Sequence, residues 1–322
     1  MKNSQYFNRN SLIINPLSMR KHDLEISVVK DLNADKNLST DKRIETVAQR
    51  IIDAKRNNAA VIMMMGGHVV RAGVQRHIID LMEKGYISCL SMNGSVMIHD
   101  FEFALIGATT ESVARYIKEG QFGLWQETGQ INDIINKAYK NDMGMGEAIG
   151  ESIYKGDYKY KDISLLAAAY RLKIPATVHV GIGYDIIHEH PNCNGAATGE
   201  TSYRDFLRFA KVVENLEGGV VMNFGSAVMA PEVYLKALSM ARNAAAQQRR
   251  AIKRFTTLVC DLHELPDDFN KEPDKSSAGY YFRPWKTMLV RTVADGGESF
   301  YVCGRHSETI PALWGAINEK NR

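Results

Sequence analysis

Short apolar runs that end in glycine, separated by segments of helical period, set the limits on what this 322-residue chain can fold into. Ala60 to Met65 leads into Gly66-Gly67, Ile87 to Met92 into Asn93-Gly94, and Ala176 to Val180 into Gly181-Ile182-Gly183. Gly219 to Phe224 leads into Gly225-Ser226, and Phe255 to Val259 runs into Cys260-Asp261. Helical periodicity fills the gaps: Val69 to Glu83, Glu111 to Lys118, Ile131 to Lys140, Asp162 to Leu172, Tyr203 to Leu216 and Pro231 to Ala246. Pro231 and Glu232 suit a first helical turn, where proline loses no hydrogen bond and an acid complements the dipole. Strands alternating with helices predict an α/β fold, a parallel, doubly wound sheet with helices on both faces. Such sheets bind ligands beyond the carboxyl ends of their strands, where these glycines fall.

Ahead of the first run, Ile44, Val47, Ile51, Ile52 and Ala54 mark one face of a helix in DKRIETVAQRIIDAKRN. Residues 1–40 read as a polar N-terminal arm and 41–322 as a single α/β domain. The arm is open to three roles: a flexible tail, a cap over a site, or a subunit contact. A 45% hydrophobic composition is enough for a large core. Forty basic against 37 acidic residues is too even a balance for coating nucleic acid or an anionic membrane. No apolar run approaches the roughly 20 residues of a bilayer span, and MKNSQYFNRN has no signal-peptide core. The expectation is a soluble, cytoplasmic protein with a small-molecule or protein partner. Cys89, Cys193, Cys260 and Cys303 form no CxxC pair, which suits reduced thiols.

Several segments carry candidate chemistry. Gly144-Met-Gly146-Glu-Ala-Ile-Gly150 has the spacing of a dinucleotide fingerprint, but the run before it is polar and helix-like where the fingerprint needs a strand. Better phosphate cradles are Gly66-Gly67-His68, Asn93-Gly94-Ser95, Gly181-Ile182-Gly183 and Gly225-Ser226, which follow strands and let backbone N–H groups approach an anion. Glycines also close βα turns in any such sheet, so the argument rests on their number. His188-Glu-His190-Pro-Asn-Cys193 offers zinc-type ligands, yet no second ligand cluster follows, and a polar loop is the simpler reading. No metal site is expected. Gln247 to Arg254 reads as the solvated end of a helix. Lys286, in Phe-Arg-Pro-Trp-Lys-Thr-Met-Leu-Val, precedes a run that reads as a buried strand. Two readings stand for it: a lysine whose stem packs on Trp285 while its head reaches water, or an amine kept neutral to form an imine.

From about Ala60 to the C-terminus the sequence resembles deoxyhypusine synthase. The likeness rests on Gly218-Gly-Val-Val-Met-Asn-Phe-Gly-Ser-Ala-Val-Met, on Asn93-Gly94-Ser95-Val96 leading to Asp100-Phe101, and on Ile174-Pro175 followed by Gly183-Tyr-Asp185-Ile. The resemblance implies a Rossmann-like, NAD-binding domain in a homotetramer with sites between subunits. It also implies oxidation of a polyamine such as spermidine and transfer of its aminobutyl group, through a lysine imine, to an acceptor amine. That acceptor is a protein lysine in one branch and putrescine in the homospermidine branch. Lys286 falls at the family's catalytic lysine, with Trp285 displaced by one because the glycine between them is missing. By the same likeness Asn93, Gly94, Ser95, Gly225 and Ser226 line the NAD site, and Asp185, with Trp285 and Asp274, faces a cationic substrate. The family's histidine base is replaced by the run Ala230-Pro231-Glu232, which leaves Glu232, His99, His188 and His306 as candidates. Tyr280-Tyr281-Phe282 stands where the family has acids. These departures keep open a different amine substrate or a non-catalytic dinucleotide-binding protein.

Overall fold

A computed structural model describes residues 6–32 and 41–320. Of the N-terminal arm, residues 1–5 and 33–40 lie outside the described residues. Six parallel strands form the main sheet: β2 (Val61–Met65), β3 (Cys89–Asn93), β5 (Ala176–His179), β6 (Val220–Phe224), β7 (Thr256–Asp261) and β8 (Glu298–Cys303). They lie in the order β5-β3-β2-β6-β7-β8, every pair parallel. Counted along the chain this is 3-2-1-4-5-6, the strand order of the Rossmann fold, with the reversal between β2 and β6. A separate two-stranded antiparallel sheet joins β1 (His22–Glu25) to β4 (Ala108–Glu111).

Alternation along the strands divides the core. Val61, Met63 and Met65 face one layer and Ile62 and Met64 the other, which is why the whole run is apolar. The first layer holds α1 (Lys42–Arg56), α3 (Gln75–Glu83), α4 (Gly94–Ile106), α7 (Met145–Lys155), α8 (Leu165–Leu172) and α11 (His306–Glu319). The second holds α9 (Gly195–Val213) and α10 (Met229–Gln247). The five residues expected on one face of the first helix are all buried.

Two expectations need correction. The helix read over Val69 to Glu83 is two, α2 (His68–Arg71) and α3, because Gly73 turns the chain at φ 71° and a Cβ there would meet the Val28 carbonyl at 1.9 Å. The run after Lys286 is a π-helical segment, Trp285–Arg291, that buries Met288 and Leu289. Parallel β7 and β8 need a return crossover, and this apolar run supplies it; Thr257 and Ser299 fasten its Met288 and Leu289 carbonyls to the two strands. The last strand is the less apolar ESFYVC of β8.

The glycines of 144–150 serve packing. They lie at the start of α7, which follows helix α6 (Gln130–Lys140), and Cβ atoms on Gly146 and Gly150 would stand 2.1 and 2.4 Å from the carbonyls of Ala176 and Leu166. Cys89, Cys193 and Cys260 are buried and Cys303 is exposed, all four as free thiols. No helix among the described residues is long and apolar enough to cross a membrane.

Candidate active site

At the reversal of strand order the loops after β2 and β6 touch. The Gly66 amide donates to the Phe224 carbonyl at 3.0 Å, and a Cβ on Gly66 would lie 2.4 Å from the Gly225 carbonyl oxygen. Gly225 itself has φ 67°, a conformation open to glycine. Asn223 holds the turn by donating to the Ser226 carbonyl and accepting from its amide, at 2.9 and 3.2 Å. Gly67 closes on α4: a Cβ there would meet Ser95 Oγ at 2.6 Å and ring atoms of His99 beyond it. The Asn93 side chain caps α4 by accepting from the Val96 amide at 3.2 Å. The loop glycines and Asn93, Ser95 and Ser226 thus gather around one crevice at the start of α4. That is the ligand position of an open α/β sheet.

Beside this crevice, on the β3 side, is a cavity of about 320 Å³. Its polar lining comes from Arg20, Arg71, Ser95, His99, Glu102, Thr110, Glu111 and Asp185, and its apolar lining includes Ile98, Val113, Phe122 and Ile186. Asp185 sits in the loop after β5, with its backbone amide donating to His188 Nδ1 at 3.2 Å. Its carboxylate lies on the first turn of α4, so that a Cβ on Gly94 would stand 2.2 Å from Oδ2. Burial pushes the Asp185 carboxyl up to about 6.

The opposite wall is a charged network. Arg20 binds Glu102 through both terminal nitrogens, at 2.8 and 2.9 Å, in a fully buried pair. Thr109 and Thr128 donate their hydroxyls to the same carboxylate at 2.7 and 2.6 Å. Burial works against the Glu102 charge, but Arg20 and these donors outweigh it and hold the carboxyl below its usual range. Glu111 accepts from the Gly123 amide and Trp125 Nε1, at 2.9 and 2.8 Å, and burial still pushes its carboxyl up. Between Thr109 and Glu111, Thr110 adopts φ 63° and its buried Oγ1 has no partner. A β-branched residue held there is strained, a state that persists where surrounding structure imposes it and that clusters at functional sites.

The structure does not bring the remaining expected residues into this cavity. Lys286 is 3% exposed, with Nζ 3.4 Å from the centroid of the Tyr280 ring, in the π-helical segment. Trp285 donates Nε1 to the Phe269 carbonyl at 2.8 Å. Asp274 is exposed and caps a turn by accepting from Ser276. Arg283, the neighbour expected to add positive charge near Lys286, pairs with Glu232 at 3.3 Å. His188 and His190 are committed to backbone contacts, and among the described residues no group of three or more His, Cys, Asp or Glu is placed to hold a metal. His306 borders the crevice, its Nε2 2.4 Å from where a Gly225 Cβ would be. Arg20, Glu102, Thr109, Thr110 and Glu111 were not singled out from the sequence. The one signal was the pair of acids, Asp100 and Glu102, inside the otherwise apolar helix α4.

Comparison with known proteins agrees with this architecture. Residues 45–140 match the family model described as arginine dihydrolase ArgZ-like, C-terminal, Rossmann fold. The fold resembles ArgZ, an arginine dihydrolase from the ornithine–ammonia cycle in cyanobacteria, at 13% identity and TM-score 0.51 over 88% of this chain and 33% of that one. AgrE, solved with ornithine and NAD+, aligns at 16% identity and TM-score 0.50 over 88% of this chain and 34% of that one. The chain thus spans about a third of the length of these enzymes. A deoxyhypusine synthase structure from Entamoeba histolytica aligns at 10% identity and TM-score 0.46, over 86% of this chain and 88% of that one, too distant to carry an argument. No curated protein matches the sequence. At these identities the likeness defines the fold: a Rossmann-type α/β sheet with its ligand crevice at the strand reversal.

Proposed function

We propose that this chain is an NAD-dependent enzyme that acts on a small cationic amine. The observation that carries the reading is the position of Asp185: a partly buried carboxylate in a cavity that adjoins the crevice of the glycine loops. NAD, when bound, supplies a hydride acceptor at that crevice. The loops of Gly66-Gly67, Asn93-Gly94-Ser95 and Gly225-Ser226 cradle its phosphates. Asp185 receives the substrate's ammonium, and a cation there favours the charged carboxylate that burial disfavours. Ile98, Phe122 and Ile186 supply apolar cover for the amine-bearing carbon. The likeness to AgrE, solved with ornithine and NAD+, supports both the cofactor and an amine ligand.

A second stage, transfer of the oxidised group, is favoured by one observation: Lys286 is a buried lysine. In that reading Lys286, which lies outside the Asp185 cavity of its own chain, comes from a neighbouring copy; its amine displaces the leaving amine at the imine carbon, an acceptor amine then displaces Lys286, and the hydride returns to the new imine. Spermidine as donor, and a protein lysine or putrescine as acceptor, belong to this stage, as does a homotetramer with sites shared between subunits.

The test is to incubate the protein with NAD and a panel of amino acids, diamines and polyamines, follow NADH, then reduce with borohydride and weigh the protein. NADH formation supports amine oxidation, and a mass adduct on Lys286 supports transfer. NAD binding without NADH from any amine would leave a non-catalytic dinucleotide-binding protein.

A further inference from the structure

The buried network beside the crevice fixes which nitrogen of His99 carries a proton. Glu102 is an ionised carboxylate gripped by both terminal nitrogens of Arg20, so it can only accept. The single hydroxyl proton of Thr109 therefore goes to Glu102, 2.7 Å away. Thr109 Oγ1 also lies 2.9 Å from His99 Nδ1, and with its own proton spent it must accept there. His99 is then protonated on Nδ1, and Nε2 is left with a lone pair. Nε2 is on the crevice side of the ring, 3.4 Å from where a Cβ on Gly67 would be, and His99 lines the cavity that holds Asp185.

We propose that His99 Nε2 is a fixed hydrogen-bond acceptor that, with the Asp185 carboxylate, forms a subsite for a substrate's primary ammonium. This rests on the amine reading above and deepens it: two acceptors of different kind line one cavity, which suits a group that has several N–H donors. A carboxylate alone takes any cation, including a quaternary one. A neutral imidazole lone pair adds a preference for an N–H that can point at it, so the pair selects primary over fully methylated amines. Arg20, Arg71, Glu102 and His68 are the charged or titratable groups that face His99. Burial, reinforced by Arg71, Arg20 and His68 and opposed by Glu102, pushes its pKa down to about 4, so the ring stays neutral and accepting at neutral pH. Thr110 Oγ1, unpartnered in the same wall, is a further polar atom available to the ligand.

Two measurements test this on the full chain. Long-range 15N–1H NMR of histidine-labelled protein reads the tautomer directly. The expected signal for His99 is a protonated Nδ1 and bare Nε2, giving way to mixed tautomers in Thr109→Val. A proton on Nε2, or an imidazolium at neutral pH, overturns the proposal without touching the amine reading. In kinetics with any amine that yields NADH, His99→Phe keeps a ring at this position but removes the Nε2 lone pair. It should raise KM for primary amines at least tenfold, erase the preference over N-methylated analogues, and leave the NAD Kd within about twofold. An unchanged KM overturns the subsite while the enzyme reading stands. Failure of every amine to yield NADH overturns the enzyme reading, and the subsite with it.

Discussion

Gly225 and His306 meet across the mouth of the crevice: a Cβ on Gly225 would lie 2.4 Å from His306 Nε2. With φ at 67°, the position is closed to other residues on two counts, conformation and space. Gly225→Ala should destabilise the fold by at least the backbone cost of on the order of 1–2 kcal/mol. It should also weaken NAD binding by displacing the β6 loop or His306. Urea unfolding and calorimetric titration with NAD check the two effects separately.

Asp185→Asn should trade stability against binding. The folded-state carboxyl titrates near 6, above the ordinary carboxylate value of 3.8 from which it is raised. The native state therefore holds the proton more tightly, and Asp185 costs stability progressively as pH rises from about 4 to 6 and fully above that. The asparagine variant should be more stable than the parent at pH 7, by on the order of 2 kcal/mol, and should lose this advantage at pH 4. Amine binding by the parent should weaken as pH falls through 6, and the variant should bind amines at least tenfold less tightly. Thermal melts across pH and amine titrations give both readings.

Glu102→Gln leaves Arg20 charged in a site where neither side chain reaches solvent. The expected loss is about 3–5 kcal/mol, the usual cost of breaking a buried pair from one side. Replacing both, as Arg20→Met with Glu102→Gln, should recover a good part of it. A double-mutant cycle by chemical unfolding decides; additive losses would show that the pair is not coupled.

A thiol count distinguishes the folded core from the surface. Of Cys89, Cys193, Cys260 and Cys303 only the last is exposed. Burial also pushes the Cys89 and Cys260 thiols up, away from the reactive thiolate. Ellman's reagent should modify one thiol quickly in the native protein and the remaining three on unfolding.

The sheet was legible in the sequence because strands buried on both faces are apolar runs, and five of the six strands show such a run, four of them ending in glycine and β7 passing into Cys260-Asp261. β8 escaped because Glu298, Ser299 and Phe300 are only partly covered at the sheet edge, while the apolar run before it is spent in the crossover. The crevice glycines were legible for the same reason as the strands. The cavity wall was not: Arg20 comes from a polar stretch with no periodicity, and its partner Glu102 lies 82 positions on. Nothing local marks two such residues as neighbours. Lys286 shows the reverse case, a residue that stands out in sequence but sits on Tyr280, outside the cavity that holds Asp185.

The pairing of β1 with β4 brings a piece of the chain's beginning to the edge of the ligand cavity, where Arg20 becomes part of its wall. Part of the cavity's wall is thus drawn from outside the six-stranded sheet. Substitutions in this segment can reshape the cavity while the strands of the main sheet stay as they are.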